Sequence, residues 1–140
     1  MKNNHGFTLL ELLVVLALVG TLLGFIIINL SSSQQNISLT STSQVLVSDL
    51  RQNQIKAMVG DTEGRAASDS YGVHFDSNKY VFFHGTYSAF EPSNFVVNLP
   101  SNMQFESPGF NIIFSKITGE IASSTNFQLT DVTTGRGRRI

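Results

Sequence analysis

The chain has 140 residues, a net charge of −1 and no cysteine. That length allows one modest domain plus an extended helix. The absence of cysteine excludes disulfides, thiolate chemistry and cysteine-bound metal, and the near-zero charge gives no strong overall field to draw in nucleic acid or anionic lipid. Charged residues make up 14% of the chain, where about a quarter is usual. Ser, Thr, Asn and Gln take their place, which suits a secreted protein packed among copies of itself.

The first element is apolar. After MKNNHG comes FTLLELLVVLALVGTLLGFIIINL, residues 7–30, broken only by Thr8, Glu11, Thr21 and Asn29. A bilayer-spanning helix needs about 20 such residues. A secretory signal peptide has an apolar region of only about 7–15 residues, so the run is too long for one. A plain signal anchor is the competing reading, and Lys2 favours an N-terminus on the inner side. Neither reading explains Glu11. A carboxylate at the bilayer centre costs roughly 2.5–3.5 kcal/mol on insertion scales. Near a helix start the positive end of the dipole reduces that cost. A cut between Gly6 and Phe7 would create an α-amino group. On a neighbouring copy shifted along the axis, that ammonium would face Glu11 and set the register between subunits.

GFTLLELLVVLALVG resembles the N-terminal signature of type IV prepilins and pseudopilins. The resemblance covers residues 2–30. It implies that a membrane-embedded prepilin peptidase cuts after Gly6 and methylates the new N-terminal Phe7. It also gives Glu11, five positions into the mature chain, the assembly role. Gly20 and Gly24 form a small-xxx-small pair, read either as close helix packing or as ordinary membrane-helix glycine. Members often carry a Pro later in this helix that helps it melt on assembly. Residues 7–59 contain none, so any melting would rely on the glycines.

From residue 31 to 59 there is neither Pro nor Gly. Leu46, Leu50 and Ala57 recur at helical spacing, as do Val47 and Met58 less regularly. One helix is expected from Phe7 to about Val59, with Gly60 as its stop. Its first half, 7–30, is the membrane and assembly segment. Its second half, 31–59, is amphipathic and docks on a sheet. GDTEGRAASDS, residues 60–70, is a loop. Its acids Asp61, Glu63 and Asp69 do not match a calcium-binding EF-hand spacing.

Strand signals follow. YGVHF and KYVFF flank Asp76-Ser77-Asn78, a hairpin pattern. Further strands are expected at 95–99, 103–106, 111–114, 120–122 and 126–131. The whole reads as α+β: a long N-terminal helix on a small antiparallel sheet built from residues 60–140, with phenylalanines filling the space between them. YGVHF, KYVFF, FVVNLP and IIFSKITGEI are similar to the globular domain of the type II secretion minor pseudopilin H and of FimT-like minor pilins. In that family a further C-terminal strand follows the last turn. The sequence stops at Ile140 about where it would begin, so that strand is expected to be missing or very short.

No catalytic constellation is visible, and no cofactor or metal is expected. His5 belongs to the leader, residues 1–6. His74 and His84 are expected near each other across a strand pair, without the further ligands a metal needs. The tail GRGRRI holds Arg136, Arg138 and Arg139. Guanidinium groups suit phosphate. Gly135-Arg136-Gly137-Arg138 matches the Gly-Arg-x-Arg motif that FimT-like pilins use in DNA capture. Anionic lipid or acidic subunits are equally compatible partners. The expected function is structural: a minor pilin or pseudopilin, single-pass in the cytoplasmic membrane, then drawn with other subunits into an extracytoplasmic filament. DNA binding for uptake is the alternative.

Overall fold

The computed structural model describes residues 8–122 and 125–140, with the side chains of 26–36 outside the description. The expected cleavage pair Gly6 and Phe7 lies outside the described residues. The chain divides into two units, Met1–Ile37 and Ser38–Ile140. One helix, α1, runs Leu9–Val59.

Both ends of α1 are capped. At the start, the Glu11 amide donates to Thr8 Oγ1 at 3.2 Å, and the Leu12 amide donates to the Thr8 carbonyl at 3.2 Å. At the end, Gly60 takes φ 67. Its amide donates to the Ala57 carbonyl, and the Asp61 amide donates to Lys56 at 3.0 Å. These two crossed bonds satisfy carbonyls that a helix end leaves unpaired. Glycine accepts that left-handed conformation without a Cβ clash.

In the first unit, all residues from 9 to 25 are exposed, and nearly all are apolar. Thr21 hides its hydroxyl by donating to the Leu18 carbonyl at 2.8 Å. Among the described residues no helix is long and apolar enough to cross a membrane. The stretch read as a span, 7–30, lies partly outside them.

In the second unit, strands form two antiparallel sheets. The first contains β1 Tyr71–Phe75, β2 Lys79–His84, β3 Phe95–Asn98 and β5 Phe110–Phe114, in the order β3-β2-β1-β5. The second contains β4 Met103–Phe105, β6 Gln128–Asp131 and β7 Arg136–Arg139, in the order β4-β6-β7. The Asp76-Ser77-Asn78 turn closes the β1–β2 hairpin, with Phe75 opposite Tyr80. The architecture is α+β, as the patterning predicts.

Two expectations need correction. Residues 120–122 are not a strand and contribute one bridge, Phe114 to Ile121. The preceding turn is held elsewhere: the Ile117 amide donates to the Ala57 carbonyl and Gln54 Nε2 donates to the Gly119 carbonyl. Those bonds tie the turn to the end of α1. The C-terminal strand, expected to be missing or very short, is present and four residues long. It forms β7 and pairs along its full length with β6.

The core joins Leu39 and Leu46 of α1 to Val73, Phe75, Tyr80, Met103, Phe105, Phe127 and Leu129 from both sheets. Phe75 lies at its centre, with ring centroids 5.1 Å from Phe105, 4.7 Å from Phe110 and 4.8 Å from Phe127. A smaller cluster joins Ala57, Tyr71 and Phe114. Two buried polar residues of α1 are satisfied within the helix: Ser43 Oγ donates to the Leu39 carbonyl, and Asn53 Nδ2 to the Asp49 carbonyl. Phenylalanine does not serve the core alone, since Phe25, Phe90 and Phe95 are exposed.

Tyr80 donates its hydroxyl to Asp49 Oδ2 at 2.6 Å. Burial, then this bond to Asp49, holds the hydroxyl far above its usual range. An unfolded Tyr ionises near about pH 10. The folded state keeps the proton where the unfolded state has lost it. The stability linked to Tyr80 is therefore complete below about pH 10 and falls as pH rises from there toward the folded value. Denaturant titrations of the domain should show that alkaline decline. Tyr80→Phe should flatten it while costing about 0.5–1.5 kcal/mol at neutral pH.

Candidate functional site

Two regions carry the residues singled out in the sequence. The first is the start of α1. Glu11 lies in the first turn with its side chain exposed, where the partial positive charge of the helix end favours an acid. Thr8 is the capping residue of that turn. The Thr8…Glu11 spacing is that of a capping box, a signal present in TLLE that the membrane reading passes over. Thr8 therefore fixes where the helix begins, three residues before the acid. Gly20 and Gly24 are exposed, and among the described residues a Cβ built on either would meet no atom within 4 Å.

The second region is β7 and the α1 flank beside it. The β6–β7 turn is organised by Asp131, which is 1% exposed. Its Oδ1 accepts the amides of Thr133 and Thr134 at 2.8 and 3.2 Å, and its Oδ2 accepts Asn102 Nδ2 at 2.9 Å. Gly135 follows at φ 68, and its amide donates to the Asp131 carbonyl. A Cβ on Gly137 would collide with the Gln128 side chain on the neighbouring strand. Both glycines of the motif thus have a role in the hairpin itself.

The hairpin sets the arginines in a row of exposed strand positions. Arg138 Nη1 donates to Thr40 Oγ1 at 3.3 Å. Arg138 and Arg139 line a groove of about 430 Å³ against α1, together with Ser48, Val47, Ile140 and Arg51. Arg136 is outside that lining. Arg51 was missed in the sequence, where it stands far from the tail and carries no motif. A deletion of the anchoring acid is informative here. Asp131→Ala leaves two amides and one side-chain donor unpaired, at about 1–3 kcal/mol for a buried group. Hydrogen exchange at the β7 amides should accelerate before that of β1 and β2.

The histidines do not meet. His84 pairs with Tyr71 and His74 with Val81. His84 shares the helix-facing side of β2 with Tyr80 and Phe82, while His74 is on the opposite side. There its ring stacks on Tyr87 at 3.9 Å, with Nδ1 2.6 Å from Asn111 Oδ1. Alternation along the strands separates them: each sits an odd number of positions from the other's partner. Among the described residues no group of three or more His, Asp or Glu could hold a metal.

A family model, the prokaryotic N-terminal methylation motif, matches residues 1–27. Those residues carry the N-terminal motif of type IV prepilin-like proteins. No curated protein and no solved structure matches the chain. In a prepilin-like protein the two regions have separate chemistry. The motif covers residues 1–27, and the capped first turn lies within it. The arginine row belongs to the other unit, Ser38–Ile140. Proteins carrying this motif are structural, and they assemble with other pilin-type subunits after processing by prepilin peptidase.

Proposed function

We propose that the protein is a minor pilin or pseudopilin, a structural subunit of a type IV pilus or type II secretion pseudopilus. Prepilin peptidase cuts it between Gly6 and Phe7 and methylates Phe7. Residues 7–30 anchor it in the cytoplasmic membrane with the N-terminus inside. It then leaves the membrane for the filament, with Glu11 paired to the Phe7 ammonium of a neighbour and Gly20 and Gly24 at helix–helix contacts. The observation that carries this reading is the methylation motif over residues 1–27, read onto a helix that starts beside Thr8 and carries Glu11 in its first turn. The strand-rich unit that follows, with its YGVHF and KYVFF hairpin, supports the minor-subunit assignment. Mass spectrometry of the membrane-bound protein tests it. The mature chain should begin with N-methyl-Phe7. An intact Met1 in cells that contain the peptidase would sink the reading.

The second reading is a minor pilin that binds DNA through Arg136, Arg138 and Arg139. The alignment of Arg51 with Arg138 and Arg139 along one groove favours it. Phosphate contacts of this kind are sensitive to salt and blind to sequence. A gel-shift titration of the solubilised protein at low salt decides. No shift, or a shift unchanged when the three arginines become Ala, removes the DNA reading.

A further inference from the structure

We propose that the arginine groove of one copy receives the tip of the β2–β3 loop, Phe90 and Glu91, from a second copy. This rests on the filament-subunit reading and names the contact between its outer domains.

The loop is built to project. Phe90 is 95% exposed, the most exposed large apolar side chain described. The segment behind it is tied down. Asn94 Nδ2 donates to the Ser88 carbonyl at 2.7 Å, and the Asn94 amide to the Glu91 carbonyl at 3.1 Å. Tyr87 stacks on His74 and lies 5.3 Å from Phe83. A tip held this way loses little freedom on docking. It presents an aromatic ring next to an exposed carboxylate.

The groove offers the complement. Arg51, Arg138 and Arg139 surround Val47 and Ile140, and no Asp or Glu lines it among the described residues. A ring entering there covers the two aliphatic side chains and lies under guanidinium groups. The carboxylate beside it meets three positive charges. Aromatic and arginine side chains at the centre of a contact carry most of its affinity.

Within one copy the root of the loop and the groove lie on different flanks of α1. Ser93 and Phe95, at the loop's end, line a separate cleft with Asp49 and Lys56 of α1. Val47 and Arg51 line the basic groove. At 100° per residue these two pairs leave the helix about 140–180° apart. Each copy therefore offers a plug on one flank and a socket on the other. Such a contact is head-to-tail: it leaves one plug and one socket free on a pair of copies, and further copies can add there.

The natural absence of cysteine makes the test direct. Full-length chains carrying Ala89→Cys beside the tip, or Ser48→Cys in the groove, are co-expressed with different tags and oxidised in intact cells. The mixed pair should cross-link well above the level of either chain alone. Both substitutions in one chain should give a ladder of higher species. Arg138→Glu with Arg139→Glu should abolish the mixed product, and adding Glu91→Arg in the tip-bearing chain should restore it. No mixed product, equal cross-linking of the Ala89→Cys chain with itself, or indifference to charge reversal overturns the proposal. So does loss of the product on nuclease treatment, which would assign the groove to nucleic acid. The mature N-terminus is read in the same samples. A missing cross-link with Phe7 exposed overturns this contact alone, whereas a retained Met1 overturns the filament reading beneath it.

Discussion

Replacing Glu11 with Ala should leave the protein in the membrane, with its leader removed, and exclude it from filaments. Insertion depends on apolar length, and removing an acid from the run only makes it more apolar. On the proposed reading, processing depends on Gly6 and Phe7, which the substitution leaves in place. Assembly is different, because under the proposed pairing the Phe7 ammonium of a neighbour then loses its partner in a low-dielectric setting. Removing one member of a buried ion pair costs about 3–5 kcal/mol, since the other charge is left uncompensated. That corresponds to roughly two to four decades in association. The helix cap offers a scale for comparison. Thr8→Ala removes the Glu11 amide's acceptor and costs only about 0.5–2 kcal/mol. Glu11→Gln separates charge from shape: it should fail to assemble as the Ala variant does. Filament fractions probed by immunoblot give the readout, and wild-type incorporation of the Ala variant would refute the pair.

The largest effect on stability should come from Phe75→Ala. Its ring touches Phe105, Phe110 and Phe127 and is fully buried. Loss of a buried Phe costs about 3–5 kcal/mol, because the cavity collapses only in part. Whole domains are stable by about 5–15 kcal/mol, so the variant should unfold at much lower denaturant, or fail to accumulate. Phe90→Ala is the contrast within the same residue type. At 95% exposure it should shift stability by no more than about 0.5 kcal/mol. Equal losses at both positions would show that the core has been misplaced.

The contrast between those two phenylalanines marks how far sequence reasoning reaches. Alternation in YGVHF and the Asp-Ser-Asn turn identify the β1–β2 hairpin, because strand period and turn chemistry are local properties. The glycine after the last apolar turn of α1 is local too. Burial of a particular ring is not. The strand pattern of YGVHF and the Ser-Ala-Phe-Glu-Pro loop chemistry set Phe75 and Phe90 in different local settings, but only the packing of α1 against two sheets makes Phe75 the centre of the core. RGRR has no branched or aromatic residue and gives no strand signal. Its conformation comes from pairing with β6 and from the turn that Asp131 anchors. Residues 120–122 fail for the converse reason: their local pattern suits a strand, but the turn before them is bound to α1. At the candidate site, the motif over residues 1–27 is contiguous and therefore visible. The groove is not, since Arg51 comes from the helix and Arg138 and Arg139 from the last strand.

The placement of β7 has a consequence for crowding. It is an outer strand of the second sheet, and every one of its residues is exposed. A bare strand edge invites another chain to add to it and starts aggregation, and cationic side chains are a common safeguard. Three guanidinium groups along four residues make β7 a poor template for a like strand, which would bring its own three. Domains held side by side at high local concentration can thus touch repeatedly without fusing their sheets along this edge.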